Sequence, residues 1–218
     1  MKILVAIESC QRDRALQQAQ RDTWLKDLRG ADYRFFYGGS IQLDLLGQPY
    51  LPAPDEVHLD VEDSYAGLAR KTQAICEWAI REGYDAMFKC DIDTVVNPWL
   101  FLLSVYWPIT YAGAENADEV PCISGRINFA SGGAGYWLGR AEMRCVVGSP
   151  IRTNAEDVFV ADSLRQNQRY PIWVPTYKWR PGSEIDKDTV ALHLSSALQK
   201  KYEPSQMYEA YEKMRSFR

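Results

Sequence analysis

Short apolar runs alternate with stretches of helical spacing through the first third of the chain, and this alternation restricts the fold more than any other feature. Lys2–Ile7 is a β-branched run that reads as a strand. Arg12–Leu28 follows with helical spacing, and no proline intervenes before Pro49. Tyr33–Tyr37 is aromatic and stops at Gly38-Gly39, and Glu56–Leu59 comes after the proline-bearing stretch LGQPYLPAPD, so both read as strands. Ser64 is placed to cap a helix running through Leu68, Ile75, Trp78 and Ala79 to Gly83. Ala86-Met87-Phe88 then leads into FKCDIDT. The order β-α-β-β-α-β predicts an α/β fold with an open, mostly parallel central sheet flanked by helices. Ligands of such sheets bind beyond the carboxyl ends of the strands, which is where the two acids of FKCDIDT fall.

The second half is less regular. Asn97–Tyr106 is strongly apolar, Ile127–Ala130 is a candidate strand, and glycines crowd Gly132–Gly139. Arg140–Val147, Asp157–Gln166 and Pro204–Phe217 read as helices. With 218 residues, 46% hydrophobic and without an internal repeat or linker, the chain is expected to form a single domain. Its net charge of -4 gives no overall attraction to nucleic acid or anionic membrane. Five scattered cysteines match neither a zinc site nor a disulfide framework, so reduced thiols are expected. MKILVAIESC is too short for a span and carries no cleavage pattern.

Asp91 and Asp93 flank Ile92, so on extended backbone both carboxylates point to one side. Two adjacent carboxylates repel unless a cation lies between them, and a hard divalent ion offers open positions that a diphosphate can fill. An acid pair that caps backbone amides at a strand end fits the same residues. Two readings also hold for His193, which follows a β-branched run: a metal ligand, or a strand histidine with a satisfied ring. Asp157 stands in the N-cap cluster Asn154–Asp157. The glycines of SGGAGY either let a sugar ring lie against backbone or make a tight turn. Trp24 and Trp78 are assigned to the core.

Arg14, RDTW (Arg21–Trp24), FFYGG, DVEDSYAGLARKT (Asp60–Thr72), Trp78, KCDIDTVVN (Lys89–Asn97), ASGGAGYWLGR (Ala130–Arg140), EDV (Glu156–Val158) and ALHLSS (Ala191–Ser196) follow one another along the chain. In these motifs and their order the sequence resembles the beta-1,3-galactosyltransferase and Fringe-like family of GT-A fold glycosyltransferases, from Ile3 to about Ser196. The resemblance implies a GT-A domain over residues 1–218, with a nucleotide-sugar half to about residue 97 and an acceptor half after it. It also implies a UDP-sugar donor, Mn2+ or Mg2+ held by Asp91, Asp93 and His193, and inverting transfer to a hydroxyl. Asp157 is the implied base, with Glu156 orienting it or the acceptor. Ser9, Arg14, Lys71 and Asp91 are the implied donor contacts, and Gly132, Gly133, Glu156 and Trp179 the implied acceptor contacts. The sequence departs from the family at Ile92, where an acid is frequent, at Gly67, where the family has Asn, and at Ala161, where it often has Gly. Donor-sugar identity is therefore left open. The lack of a stem, anchor and paired cysteines makes a minimal cytoplasmic enzyme the expectation.

A glycan is the acceptor ranked first. The alternative is a 5-hydroxymethylpyrimidine in DNA, because Arg169-Tyr170, Trp173 and Tyr177–Arg180 interleave rings with cations that suit an exposed base and its phosphates. A sugar-nucleotide-binding module without turnover is a rival of a different class. A nucleotidyltransferase would need a glycine-rich phosphate loop, and AIESCQRDR has none.

Overall fold

The run ILVAIE forms β1 (Ile3–Glu8), and all six of its residues are buried, as expected of a central parallel strand covered on both faces. In this computed structural model residues 1–39, 52–104, 110–116, 119–180, 183–194 and 203–218 are described. Most of the proline-bearing loop, the end of the apolar run after residue 104, and Ser195-Ser196 lie outside them. The chain continues through α1 (Arg14–Gln20), β2 (Asp32–Tyr37), β3 (Glu56–His58), α2 (Leu68–Arg81), β4 (Ala86–Asp91) and β5 (Thr94–Val96). The second half adds β6 (Ala112–Gly113), β7 (Val120–Cys122), β8 (Gly125–Ile127), β9 (Tyr136–Gly139), α3 (Arg140–Gly148), α4 (Glu156–Gln166), β10 (Ile172–Trp173), β11 (Tyr177–Lys178), β12 (Ala191–His193) and α5 (Pro204–Arg215).

Seven strands make the main sheet in the order β10-β6-β9-β4-β1-β2-β3. Only β9 runs antiparallel to its neighbours, so the sheet is mostly parallel, as the alternation predicts. Side chains alternate across it. Ile3, Val5 and Ile7 join Phe35, Phe88 and Cys90 under α5, whereas Leu4 and Ala6 join Phe36 and Met87 under α2, α3 and α4. The result is a single α/β sandwich of Rossmann-like form. Among the described residues no helix is long and apolar enough to cross a membrane, and all five cysteines are free thiols.

The structure corrects several sequence boundaries. The helix expected over Arg12–Leu28 is broken: after α1 the backbone kinks at Thr23 (φ −109°, ψ −111°). The Thr23 hydroxyl donates to the Ala19 carbonyl at 2.5 Å and competes with the backbone ladder there. The strand expected at Ile127–Ala130 lies earlier, as β8 in a hairpin with β7, and Ala130 makes only a lone bridge to Glu115. Trp24 is in the core, but Trp78 is half-buried, edge-on to Phe36 with ring centroids 5.2 Å apart and stacked on Tyr84. A separate three-stranded sheet, β11-β12-β5, was not legible in the sequence, and it positions His193.

Candidate metal centre and active site

The register of β1 on β4 sets Ala6 opposite Lys89 and Glu8 opposite Asp91, so polar side chains collect where both strands end. Lys89 is buried, and a buried ammonium is costly unless paired. Its Nζ lies 2.9 Å from Glu8 Oε2, 2.6 Å from Asp91 Oδ1 and 2.6 Å from Glu156 Oε1. Glu156 arrives from the first turn of α4 and accepts a further hydrogen bond from the Tyr136 hydroxyl at 2.6 Å. Burial pulls the Lys89 pKa down, but the attraction of Asp91, Glu156 and Glu8 outweighs it and holds Lys89 well above its ordinary value. Burial also pushes Glu156 up, to about 8, against the pull of Lys89. For Asp91 the balance tips the other way: the Lys89 ammonium overrides burial and keeps the carboxyl below its usual range.

The short turn after β4 carries Asp93, and β5 pairs antiparallel with β12, setting Thr94 opposite His193. The Leu194 amide donates to the Asp93 carbonyl at 3.0 Å. This pairing, between segments far apart in sequence, brings His193 Nε2 to 3.1 Å from Asp93 Oδ2. One ligand atom each from Asp91, Asp93 and His193 lies within 4.8 Å of the others, a spacing that suits a single divalent cation with mixed oxygen and nitrogen ligands. Burial lowers the His193 pKa, but its hydrogen bond to Asp93 and the charges of Asp93 and Asp91 raise it on balance.

Two polar residues hold the turn that presents the acids. The buried Gln20 amide donates to the carbonyls of Asp91 (3.3 Å), Ile92 (2.9 Å) and Thr94 (3.1 Å). The Thr94 hydroxyl accepts from the Asp91 amide at 3.1 Å and donates to the Gly133 carbonyl at 2.7 Å, linking the acid turn to the glycine turn. Asp157 sits on the far end of that link. It accepts from the Gly132 amide at 3.4 Å and the Val158 amide at 2.9 Å. It does not cap its helix: Ala155 holds the N-cap position. Burial raises the Asp157 pKa despite those two amides and Lys89.

A cleft of about 310 Å³ opens beside these groups, lined by Glu8, Ser9, Arg12, Asp63, Tyr65, Lys71, Lys89, Asp91, Asp93 and Glu156, among others. No family model matches the chain, and no curated protein matches it. The site therefore has to be read from its own geometry.

Asp91, Asp93 and His193 come together, while Asp157 is tied to the glycine turn through the Gly132 amide; neither His193 nor Asp157 is among the residues lining the cleft. Ser9 and Lys71 line the cleft, yet both are engaged: Lys71 Nζ reaches the Ser9 carbonyl and Asp63 Oδ1, each at 2.5 Å, and the Ser9 hydroxyl accepts from Gln17. Arg14, expected at the donor, is bound to Glu56 at 2.7 Å and is not among the residues lining the cleft. At Gly132 and Gly133, expected against the acceptor, the close approach they permit is used by the protein itself. A Cβ on Gly132 would overlap Glu156 Oε1, and one on Gly133 would lie 2.5 Å from the His193 ring. Glu156 lines the cleft, but its two oxygens are occupied by Lys89 and Tyr136. Trp179 lies in a different groove of about 510 Å³ with Trp173, Lys178 and Arg180, and its indole N–H is given to the Glu115 carbonyl. Arg169, expected beside them, is tied to Glu142 on α3. Gly67, which departs from the family pattern, has a steric reason, because a Cβ there would strike the Glu62 carbonyl.

Sequence reading missed Glu8, Gln20, Lys89 and Thr94. The signal for Lys89 was present, since a lysine inside the buried run AMFKCD needs anionic partners.

Proposed function

We propose that this chain is a metal-dependent inverting glycosyltransferase that moves a hexose or N-acetylhexosamine from a UDP-sugar to a hydroxyl acceptor. The observation that carries the reading is the convergence of Asp91, Asp93 and His193 at the carboxyl end of β4, beside a cleft of nucleotide size that Asp91 and Asp93 line. Their donor set fits Mn2+ and also accepts Mg2+. When bound there, the ion supplies charge neutralisation for a departing diphosphate. Asp93 and His193 hold it, with Asp91 contributing the oxygen that Lys89 does not occupy. Ser9 and Lys71 form the cleft wall against the donor. Asp157, raised by burial, accepts the proton of the attacking hydroxyl, and the Gly132 amide fixes the direction its carboxylate presents.

The acceptor ranked first is a glycan. The groove bearing Trp173, Trp179, Lys178 and Arg180 favours a second reading, a hydroxymethylated base in DNA, because rings and cations share one surface. The test is a UDP-release screen over UDP-sugars with Mn2+, Mg2+ or chelator. Cation-dependent release from at least one donor is expected. Release unaffected by chelator, or UDP binding with no turnover under any condition, would replace the enzyme reading with one of a binding module.

A further inference from the structure

Asp91 belongs to two clusters of candidate ligand atoms at once. With Asp93 and His193 it forms one, and with Glu8 and Glu156 it forms a second whose ligand atoms are also within 4.8 Å of one another. The second cluster is the more buried and the richer in carboxylates, and by charge alone it is the stronger cation trap. It already holds a cation. The Lys89 Nζ stands 2.6 to 2.9 Å from an oxygen of each of its three acids, donating hydrogen bonds to Asp91 and Glu156 and facing Glu8 as an ion pair. The surroundings fit around this occupant: a Cβ on Gly132 would overlap Glu156 Oε1 and sit 3.4 Å from Lys89 Nζ. A glycine is thus required where the ammonium and its acid meet the turn that carries Asp157's amide partner.

We propose that Lys89 is a built-in cation: it fills the Glu8–Asp91–Glu156 cluster, excludes a divalent ion from it, and turns Asp91 so that one oxygen remains for the neighbouring Asp93–His193 position. The divalent ion assigned above is thereby restricted to one position in a site with oxygens enough for two. Lys89 acts through Asp91 and Glu156, and is a positioning residue. The inference rests on the metal reading of the preceding subsection.

The experiment is Mn2+ titration of the metal-stripped full chain, followed by calorimetry and by the electron spin resonance of free and bound Mn2+. Wild type is expected to take up one ion, Lys89→Ala two, with spin coupling between ions that share Asp91, and Lys89→Arg one. One ion in both wild type and Lys89→Ala overturns the inference and leaves the metal reading intact. No uptake by wild type but one ion in Lys89→Ala removes the metal reading and keeps the role of Lys89. No uptake by either removes both, and two ions in wild type overturn the inference directly. Should Lys89→Ala not fold without metal, its refolding is titrated with Mn2+ by near-ultraviolet circular dichroism. Recovery that saturates at two ions supports the inference, and absence of recovery at millimolar Mn2+ overturns it.

Discussion

The two carboxylate clusters that share Asp91 meet the same electrostatic problem in different ways. Around Glu8, Asp91 and Glu156 the compensating charge is covalent, a lysine anchored in β4 and shut away from solvent. Around Asp91 and Asp93 the partner is a histidine held across β5 and β12, still one-fifth exposed. A permanent ammonium makes the first cluster part of the fold. An imidazole, which can give up its proton, leaves the second able to exchange a proton for a metal ion. The lesson is that neighbouring acids at a strand end are separated into structural and exchangeable sets by what faces them, not by their own spacing.

The largest effect should come from the exchangeable cluster. Asp93→Ala is expected to lose cation-stimulated UDP release to the level of the chelated wild type, and to lose the Mn2+ dependence of UDP affinity in calorimetry. If Asp93→Ala keeps its Mn2+ dependence, the two clusters do not differ as described. Asp157→Asn sharpens the contrast. It removes the proposed base but none of the proposed cation ligands, so turnover should fall about 10²–10⁴-fold while UDP affinity with Mn2+ is unchanged. Equal loss of UDP affinity in both variants would merge the two roles.

The structural cluster should show its effect in stability. Lys89→Met leaves three buried acids without their cation, and removing one member of such a set costs about 3–5 kcal/mol. Denaturant unfolding in chelator measures this. A loss under about 1 kcal/mol, the range of a surface pair, would place Lys89 outside the fold's needs. A smaller loss, roughly 1–3 kcal/mol, is expected for Gly133→Ala, because the new methyl must displace the His193 ring. The same change should weaken Mn2+ uptake, whereas Gly148→Ala, with open space around its Cβ, should not.

How much of this was readable beforehand depends on the range of the interaction. The strand and helix order, the emergence of Asp91 at the end of β4, and the helices at Arg140, Glu156 and Pro204 follow from local periodicity, and they were legible. The kink at Thr23 was not, because a threonine side chain competing with the helix ladder leaves the apolar spacing of Leu16, Trp24 and Leu28 unchanged. Contacts made across the sheet were also hidden. Nothing near Gln20 in sequence indicates that its amide holds the acid turn, and nothing near Gly133 indicates that a histidine ring covers it. Arg14 shows the converse, since its place in a motif suggested a ligand contact, but Glu56 on the adjoining edge strand is nearer and takes it. Lys89 stands between these cases: its need for partners was legible, and their identity was not.

Acid titration gives the smallest effect and the most direct comparison of the clusters. Lys89 favours the ionised forms of Asp91, Glu156 and Asp157, whereas burial favours the neutral forms of all three. Asp91 ends below its unfolded value, so the stability it contributes is full above about pH 4 and is lost as pH falls through its lower folded value. Asp157 ends above its unfolded value, so its ionisation opposes folding and the penalty is relieved as pH falls. Both signs predict the same difference between proteins. Without Lys89 every one of these carboxyls shifts upward, so Lys89→Met is penalised most at neutral pH and least in acid, where its acids are protonated. The stability gap between wild type and Lys89→Met should therefore shrink as pH is lowered from 7 through about 4, by about 1.4 kcal/mol for each unit by which Lys89 lowers Asp91 or Asp157, whereas Glu156, already near 8 in the wild type, changes the gap only at higher pH. His193→Gln should not reproduce this narrowing. Its gap should instead change near neutrality, where the raised imidazole loses its proton and, with it, the stability that the charged ring draws from Asp93 as pH rises. Urea midpoints for the three proteins at a series of pH values, in chelator, measure both gaps, and parallel curves for Lys89→Met and wild type would show that the ammonium is not what the acid cluster is built around.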